Sequence, residues 1–331
     1  MEYRKLGESE LEVSAIAFGA WAIGGWMWGG TDKEAAIHAI HAALDQGMHT
    51  IDTAPIYGFG LSEELVRDAL KGTQRDKVQI FTKFGLRWDT TQGALHASST
   101  DGNGKPVEVY KYAGKESVVY ECEQSLKRLN TDYIDLYQIH WPDPTTPIGE
   151  TMEALLLLKQ QGKIREAAVC NYNRAQLQEA GKSLRPISDQ IPYSMLRRDY
   201  EKEEIPYCMD QGIGILAYSP MQRGVLTGKF KPDHVFKADD NRASSKFYQP
   251  RNIERINAFL DNIRPIAEAH RATMSQLVLR WTIDQPGVTV ALAGARNPEQ
   301  AIQNAQAADI QLSDEEILQI DNCLAGLQID D

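Results

Sequence analysis

The sequence predicts an α/β protein of the (β/α)8 barrel class, and three observations carry that reading. Eight short apolar runs read as strands, at about residues 14–20, 49–53, 78–82, 134–140, 167–170, 188–191, 213–218 and 288–293. The segments between them place apolar residues at helical spacing. The alternation continues through eight rounds with no composition break, internal repeat or low-complexity linker, which favours a closed parallel barrel over an open doubly wound sheet. The open sheet is the second reading. With 331 residues, 42% of them hydrophobic, the chain can bury a large core, and residues 1–331 are expected to form one domain.

From the N-terminus, residues 3–13 alternate around a polar Gly-Glu-Ser-Glu centre and predict a short hairpin ahead of the barrel. Ile37, Ile40 and Leu44 mark the first helix. Leu61, Leu65, Val66 and Ala69 mark the second, and Val118, Cys122, Ser125, Leu126 and Leu129 the third. Thr31 followed by Glu34, and Ser313 followed by Glu316, fit capping boxes that start helices, while Gly47 and Gly162 stand where helices stop. Two connections exceed ordinary barrel loops: residues 85–113, rich in Gly, Ser and Thr, and residues 220–250, rich in Arg, Lys and Asp. Both follow strands at the face where a barrel carries its site, and loops of such length are usually lids or locally disordered. Residues 313–327 predict one further amphipathic helix at the C-terminus.

A net charge of -11 gives no global field to attract nucleic acid or an anionic membrane surface, so any anion site must be built locally. The first residues contain no apolar leader, and no stretch approaches the roughly 18 apolar residues of a membrane span. The chain is expected to be soluble and unprocessed. Its four cysteines, Cys122, Cys170, Cys208 and Cys323, form no CxxC pair and no metal-ligand spacing, so no metal is expected and reduced cytoplasmic thiols are.

Asp52, Tyr57, Lys83 and His140 each lie at or just past a strand end, where a barrel brings them to one pocket. A phenol has a pKa of about 10 and is a poor acid near neutrality. Lys83, held by Asp52, is expected to favour the phenolate and lower that pKa, while His140 donates a hydrogen bond to a carbonyl oxygen as Tyr57 protonates it. The set suits carbonyl reduction. Taken singly, each has a structural explanation: a packed tyrosine, a structural Lys83–Asp52 pair, a hydrogen-bonded core histidine.

The segments Asp52-Thr-Ala-Pro-Ile-Tyr57-Gly, Phe81-Thr-Lys83 and Tyr137-Gln-Ile-His140-Trp-Pro-Asp resemble the active-site signatures of the aldo-keto reductase superfamily. Gly19-Ala-Trp21, Gln190-Ile-Pro-Tyr193, the run from Tyr218 to Lys229, Arg242-Ala-Ser and Gly294-Ala-Arg296-Asn-Pro-Glu-Gln300 follow in the superfamily's order, so the resemblance spans nearly the whole chain. The Gly-rich stretch from Trp21 to Gly30 is most similar to bacterial stress-type or general aldehyde reductases, with potassium channel β subunits as more distant relatives. The resemblance implies an NADPH-dependent reductase, a monomer or weak homo-oligomer, in which Tyr57 gives the proton to an aldehyde, ketone or sugar-like substrate. It implies that Asn171 and Gln190 hold the nicotinamide carboxamide, that Tyr218 stacks on the ring, and that Ala20, Trp21, Asp52 and Cys170 lie beside it. Ser219, Pro220, Met221, Gln222, Gly224 and Lys229 would line the pyrophosphate, with Arg242 nearby and residues 220–250 closing as a strap. Gly294, Arg296, Gln300, Gln303 and Asn304 match the adenosine end, where a guanidinium binds a 2′-phosphate and favours NADP over NAD.

Asn297-Pro-Glu-Gln300 is also a good helix start by itself, so Gln300 has a capping role as its alternative. No GxGxxG follows the first strand, which argues against a Rossmann dinucleotide site, and the glycines from Gly24 to Gly30 are expected to shape a loop over the substrate. Where the superfamily commonly has Ser-Asn, this chain has Cys170-Asn171, and a thiol is the weaker hydrogen-bonding partner. Trp21, Trp28, Phe59, Trp88 and Trp141 are expected to wall the substrate pocket, with Trp26 reserved for ordinary packing. Two further function classes fit the same residues: an NADPH-binding redox-sensing partner protein with little turnover, and a Schiff-base aldolase using Lys83.

Overall fold

A computed structural model describes residues 1–28, 30–101, 104–236, 240 and 242–330. Strands β1 (Tyr3–Lys5) and β2 (Glu12–Ser14) pair as the expected hairpin, Tyr3 opposite Ser14. The barrel strands are β3 (Ile16–Gly19), β4 (Thr50–Asp52), β5 (Gln79–Phe84), β9 (Ile134–Ile139), β10 (Ile164–Cys170), β11 (Ser188–Pro192), β12 (Gly214–Tyr218) and β13 (Val288–Gly294). They are all parallel, neighbours in that order, and β13 closes on β3. A strand with both faces covered reads as a continuous apolar run, and β9 is buried at every position. Ala17, Phe81, Leu136, Ala168, Leu216 and Val290 fill the lumen and pack with Leu6 and Val13 of the hairpin. Their strand neighbours Ile16, Phe18, Tyr137, Val169, Ile215 and Ala291 belong to the main core against the helices.

Helices α1 (Lys33–Asp45), α2 (Leu61–Ala69), α3 (Lys115–Leu129), α4 (Ile148–Gln160), α5 (Arg174–Ala180), α6 (Glu204–Asp210), α7 (Pro250–Ala269) and α8 (Met274–Asp284) make the crossovers, and α9 (Pro298–Gln306) follows the last strand. Helix α10 (Asp314–Ala325) is the expected terminal helix, begun by the Ser313–Glu316 capping box. Gly47 and Gly162 follow α1 and α4 with φ of +79° and +73°, a conformation that suits glycine. Two expectations are corrected. Asp32, not Thr31, caps α1, its side chain accepting from the Ala35 amide. The Thr31 hydroxyl is already engaged, donating to the Ile23 carbonyl at 2.6 Å. The crossover after β12 carries two helices, α7 and α8.

The second correction concerns residues 85–113, expected as a long loop, a lid or locally disordered. They form an antiparallel sheet of β6 (Leu86–Arg87), β7 (Ala94–Thr100) and β8 (Pro106–Lys111), with β8 central, standing over the C-terminal face. Backbone groups in so long an excursion need partners, and a hairpin supplies them locally. Its tip, residues 102–103, lies outside the described residues. Residues 220–250 contain short 3-10 turns at Gln222–Thr227 and Lys246–Tyr248, and the strap expected there includes residues 237–239 and 241, which are not described. Gly29, in the glycine-rich run, is likewise outside them.

Candidate active site

At the C-terminal mouth of the barrel, Lys83 on β5 is buried completely and Asp52 at the end of β4 nearly so. The Lys83 ammonium donates to Asp52 Oδ1 at 2.5 Å, to the Thr53 carbonyl at 2.9 Å and to the Tyr57 hydroxyl at 3.2 Å. Asp52 Oδ2 accepts from Gln190 Nε2 at 2.8 Å and Gln138 Nε2 at 3.1 Å, so both carboxylate oxygens are engaged inside the lumen. The His140 ring stands edge-on to Tyr57 with centroids 5.7 Å apart. The four residues that sequence reading brought together do meet.

Burial and charge act differently on each. Burial disfavours the Lys83 ammonium, but Asp52 and Tyr57 hold its pKa above the ordinary lysine value. Burial, then Lys83, push His140 well below the usual histidine range, so its imidazole is neutral near pH 7. Tyr57 corrects the expectation of a lowered phenol: burial outweighs the pull of Lys83 and pushes it up to about 12.

Asp52, Tyr57 and His140 lie in the wall of a cavity of about 520 Å³ that continues toward α9, with Lys83 buried behind them. Trp21, Trp26, Trp28, Ile56, Leu86 and Trp141 supply its apolar wall near Tyr57. Lys229, Arg223, Arg242 and Arg296 line it in the other direction, a local cationic stretch on an acidic chain. Asn171 and Ser219, at the ends of β10 and β12, adopt left-handed backbone with φ of +60° and +56°, the kind of outlier that accumulates at functional sites. Asn171 Nδ2 donates to the His140 carbonyl at 3.1 Å, and its Oδ1 accepts from the Tyr218 hydroxyl at 3.0 Å.

This arrangement fits an extended anionic cofactor. The indole N–H groups of Trp21 and Trp28 are buried on the cavity wall without a hydrogen-bond partner among the described residues, and a ligand's acceptor atoms would satisfy them. Cys170, Asn171, Gln190, Tyr218, Ser219, Pro220, Met221, Gly224, Gly294, Gln300, Gln303 and Asn304 also line the cavity. Gln190 faces it with its amide nitrogen turned inward, shared between Asp52 and Gln138 Oε1. Arg242 pairs with Asp240 at 2.7 Å and lies 5.2 Å from the Trp28 ring centre. Arg296 donates to the carbonyls of Trp28 and Gly30 at 3.1 and 2.7 Å. Gln300 accepts from the Arg296 amide, and Asn297 caps α9.

Four residues, two expected at the cofactor and two in the substrate wall, stand elsewhere. The Ala20 backbone binds Asp52 and Ser62. Gln222, at φ +46°, turns its side chain to Ser194. Phe59 and Trp88 pack on each other behind Trp26, which itself lines the cavity and donates from Nε1 to Ser99 Oγ at 2.9 Å. Trp26 thus replaces Phe59 and Trp88 in the wall because it is tied to the inserted sheet. Sequence reasoning also assigned no role to Gln138. Its spacing of two from His140 is the signal that points to it, since alternate strand residues share a face.

The model of the aldo/keto reductase family matches residues 15–325. The chain is 42% identical over 303 residues to aldo-keto reductase YhdN of Bacillus subtilis, covering 91% of this chain and 86% of that one. It is 36% identical to an NADH-specific methylglyoxal reductase of Escherichia coli, covering 93% and 94%. Among solved structures, the glycerol dehydrogenase AKR11B4 from Gluconobacter oxydans superposes with a TM-score of 0.87 at 37% identity, covering 98% of this chain and 95% of that one. Fold, site and these likenesses agree: the chain belongs to the aldo/keto reductase family.

Proposed function

We propose that residues 1–331 act as one catalytic domain that reduces aldehydes and ketones to alcohols with NADPH, Tyr57 supplying the proton. The observation that carries this reading is the Tyr57 hydroxyl, 3.2 Å from a buried ammonium and edge-on to a neutral imidazole at the cavity floor. A bound reduced nicotinamide supplies hydride chemistry. His140 donates its ring N–H to the carbonyl oxygen and sets it beside Tyr57. Tyr57, buried, holds its proton until the oxygen becomes alkoxide-like and strongly basic, then gives it up. Lys83 stabilises the phenolate left behind, and Asp52 with Gln138 and Gln190 keeps Lys83 in place. With the cofactor bound, Asn171 and Gln190 would hold the carboxamide, Tyr218 would stack on the ring, and Ser219, Pro220, Met221, Gly224 and Lys229 with Arg242 would take the pyrophosphate.

The preference for NADP rests on Arg296. Its guanidinium is exposed and shared between two neutral carbonyls, and a 2′-phosphate offers charge-assisted, bidentate bonds instead. The free cysteines suit a reducing compartment and support a cytoplasmic location, and no described helix is long and apolar enough to cross a membrane. The acidic charge argues against nucleic acid as a partner, and a monomer or weak homo-oligomer is the assembly expected.

Fluorescence titration with NADPH and NADH, followed by turnover on an aldehyde panel, tests both points. Arg296→Ala is expected to weaken NADPH about tenfold or more, as loss of charge-assisted hydrogen bonds does, with NADH changed only a few-fold. Equal losses would sink the 2′-phosphate role. Tight binding without turnover would favour the redox-sensing alternative.

A further inference from the structure

We propose that His96 and Lys111, on the inserted sheet, form a carboxylate subsite at the cavity mouth, so that the protein prefers aldehydes bearing a carboxylate. The inference rests on the carbonyl-reducing function and specifies its substrate class.

The first observation is a β-bulge. Along β7 and β8, Ala94 faces Lys111, Leu95 faces Tyr110, and Ala97 faces Val109, which leaves His96 as the extra residue. A bulge re-aims the side chain it releases, and such bulges gather beside active sites. His96 is accordingly exposed to solvent and yet part of the cavity wall, its ring 5.6 Å from Trp141, the residue after His140. The second observation is Lys111. Its ammonium stands 5.4 Å from the centre of the same Trp141 ring and forms no ion pair among the described residues. Two acids on or beside the same sheet are engaged elsewhere: Asp89 by Arg87, and Glu108 by the Tyr110 hydroxyl.

Partial burial and Lys111 together hold His96 below the usual histidine range, so it offers a neutral N–H beside a cation. A neutral donor alone would suit a hydroxyl; the ammonium next to it selects an anion. Trp141, which both groups approach, lines the cavity with His140, and the carbon chain of the substrate would run past it with its carbonyl at Tyr57. On a chain with net charge -11, a lysine with no ion pair among the described residues also steers anions locally.

The test uses the full protein with NADPH and two matched pairs: 4-oxobutanoate against butanal, and 4-carboxybenzaldehyde against benzaldehyde. Expected is a higher kcat/KM for the acid than for its neutral counterpart, with a KM for the acid that rises with ionic strength. Lys111→Met is expected to lower kcat/KM for the acid about tenfold through KM, leaving butanal within about twofold, and Lys111→Arg to restore it. His96→Ala should weaken the acid about threefold to fivefold. Brisk reduction of the neutral aldehydes with no preference for either acid overturns the subsite alone. A preference for neutral hydroxyaldehydes, lost in His96→Ala but not in Lys111→Met, also overturns it and assigns the position to hydroxyls. Failure of all four aldehydes to consume NADPH overturns the reductase function and the subsite with it.

Discussion

At Tyr57, burial and a neighbouring ammonium act in opposite directions on one phenol, and burial prevails, holding it near 12. The acid is therefore kept protonated until the substrate oxygen demands the proton, and Lys83 acts on the product phenolate rather than by ionising the resting enzyme. Tyr57→Phe is expected to lower kcat for aldehyde reduction about 100-fold or more, with NADPH affinity changed only a few-fold, because the hydroxyl serves the proton and not the cofactor. A variant retaining near-normal kcat would show that another group supplies the proton. The tetrad was legible because each member ends or follows an apolar run. The engagement of Gln190 and Gln138 with Asp52 was not, because it joins three strands across the lumen.

At the scale of elements, the loop after β3 is seated directly on the catalytic turn. A Cβ on Gly24 would stand 2.7 Å from both the carbonyl carbon and oxygen of Tyr57. A Cβ on Gly58, at φ +71°, would meet the Gly24 carbonyl oxygen just as severely. Both contacts are backbone on backbone and cannot be relieved by a rotamer change. Gly24→Ala is thus expected to displace Tyr57 and lower kcat about tenfold to 100-fold, as small misplacements of reacting groups do, while leaving far-ultraviolet circular dichroism unchanged. An unchanged kcat would mean that the loop yields instead of Tyr57. The glycines were legible as a loop over the site, but their close approach to Tyr57 was visible only in three dimensions. The inserted sheet was missed as strands because its Gly, Ser and Thr content resembles that of a loop.

Across the whole molecule, one buried acid links the inserted sheet to the barrel's outer layer. Glu121 on α3 accepts the Gly85 amide at 3.1 and 3.2 Å, at the root of that sheet, and the Ser117 hydroxyl at 3.1 Å. Burial raises its pKa to about 8 from an ordinary 4.5, against the opposing pull of Arg87. From pH 4.5 to 8 the folded protein therefore keeps a proton that the unfolded chain releases. This group's contribution to stability is full below pH 4.5 and is lost as pH rises through 8, at a slope of up to about 1.4 kcal/mol per pH unit. Glu121→Gln should flatten the corresponding fall in Tm between pH 5 and 9, measured by calorimetry at about one-unit steps. A wild-type-like decline in the variant would place the titrating group elsewhere.

Sequence by itself determined the barrel, its eight strands, the terminal hairpin and helix, and the convergence of Asp52, Tyr57, Lys83 and His140. Period-two and period-3.6 burial are local patterns, and parallel strands deliver their ends to one face whatever the details of packing. Tertiary structure alone decided that Trp26 and not Phe59 or Trp88 faces the cavity, that Arg296 rests on the carbonyls of the glycine-rich loop, that Tyr57 titrates high, and that a bulge sets His96 at the cavity wall. Those outcomes depend on contacts between segments far apart in the chain and on the solvent each contact excludes, quantities that no local pattern of residues contains.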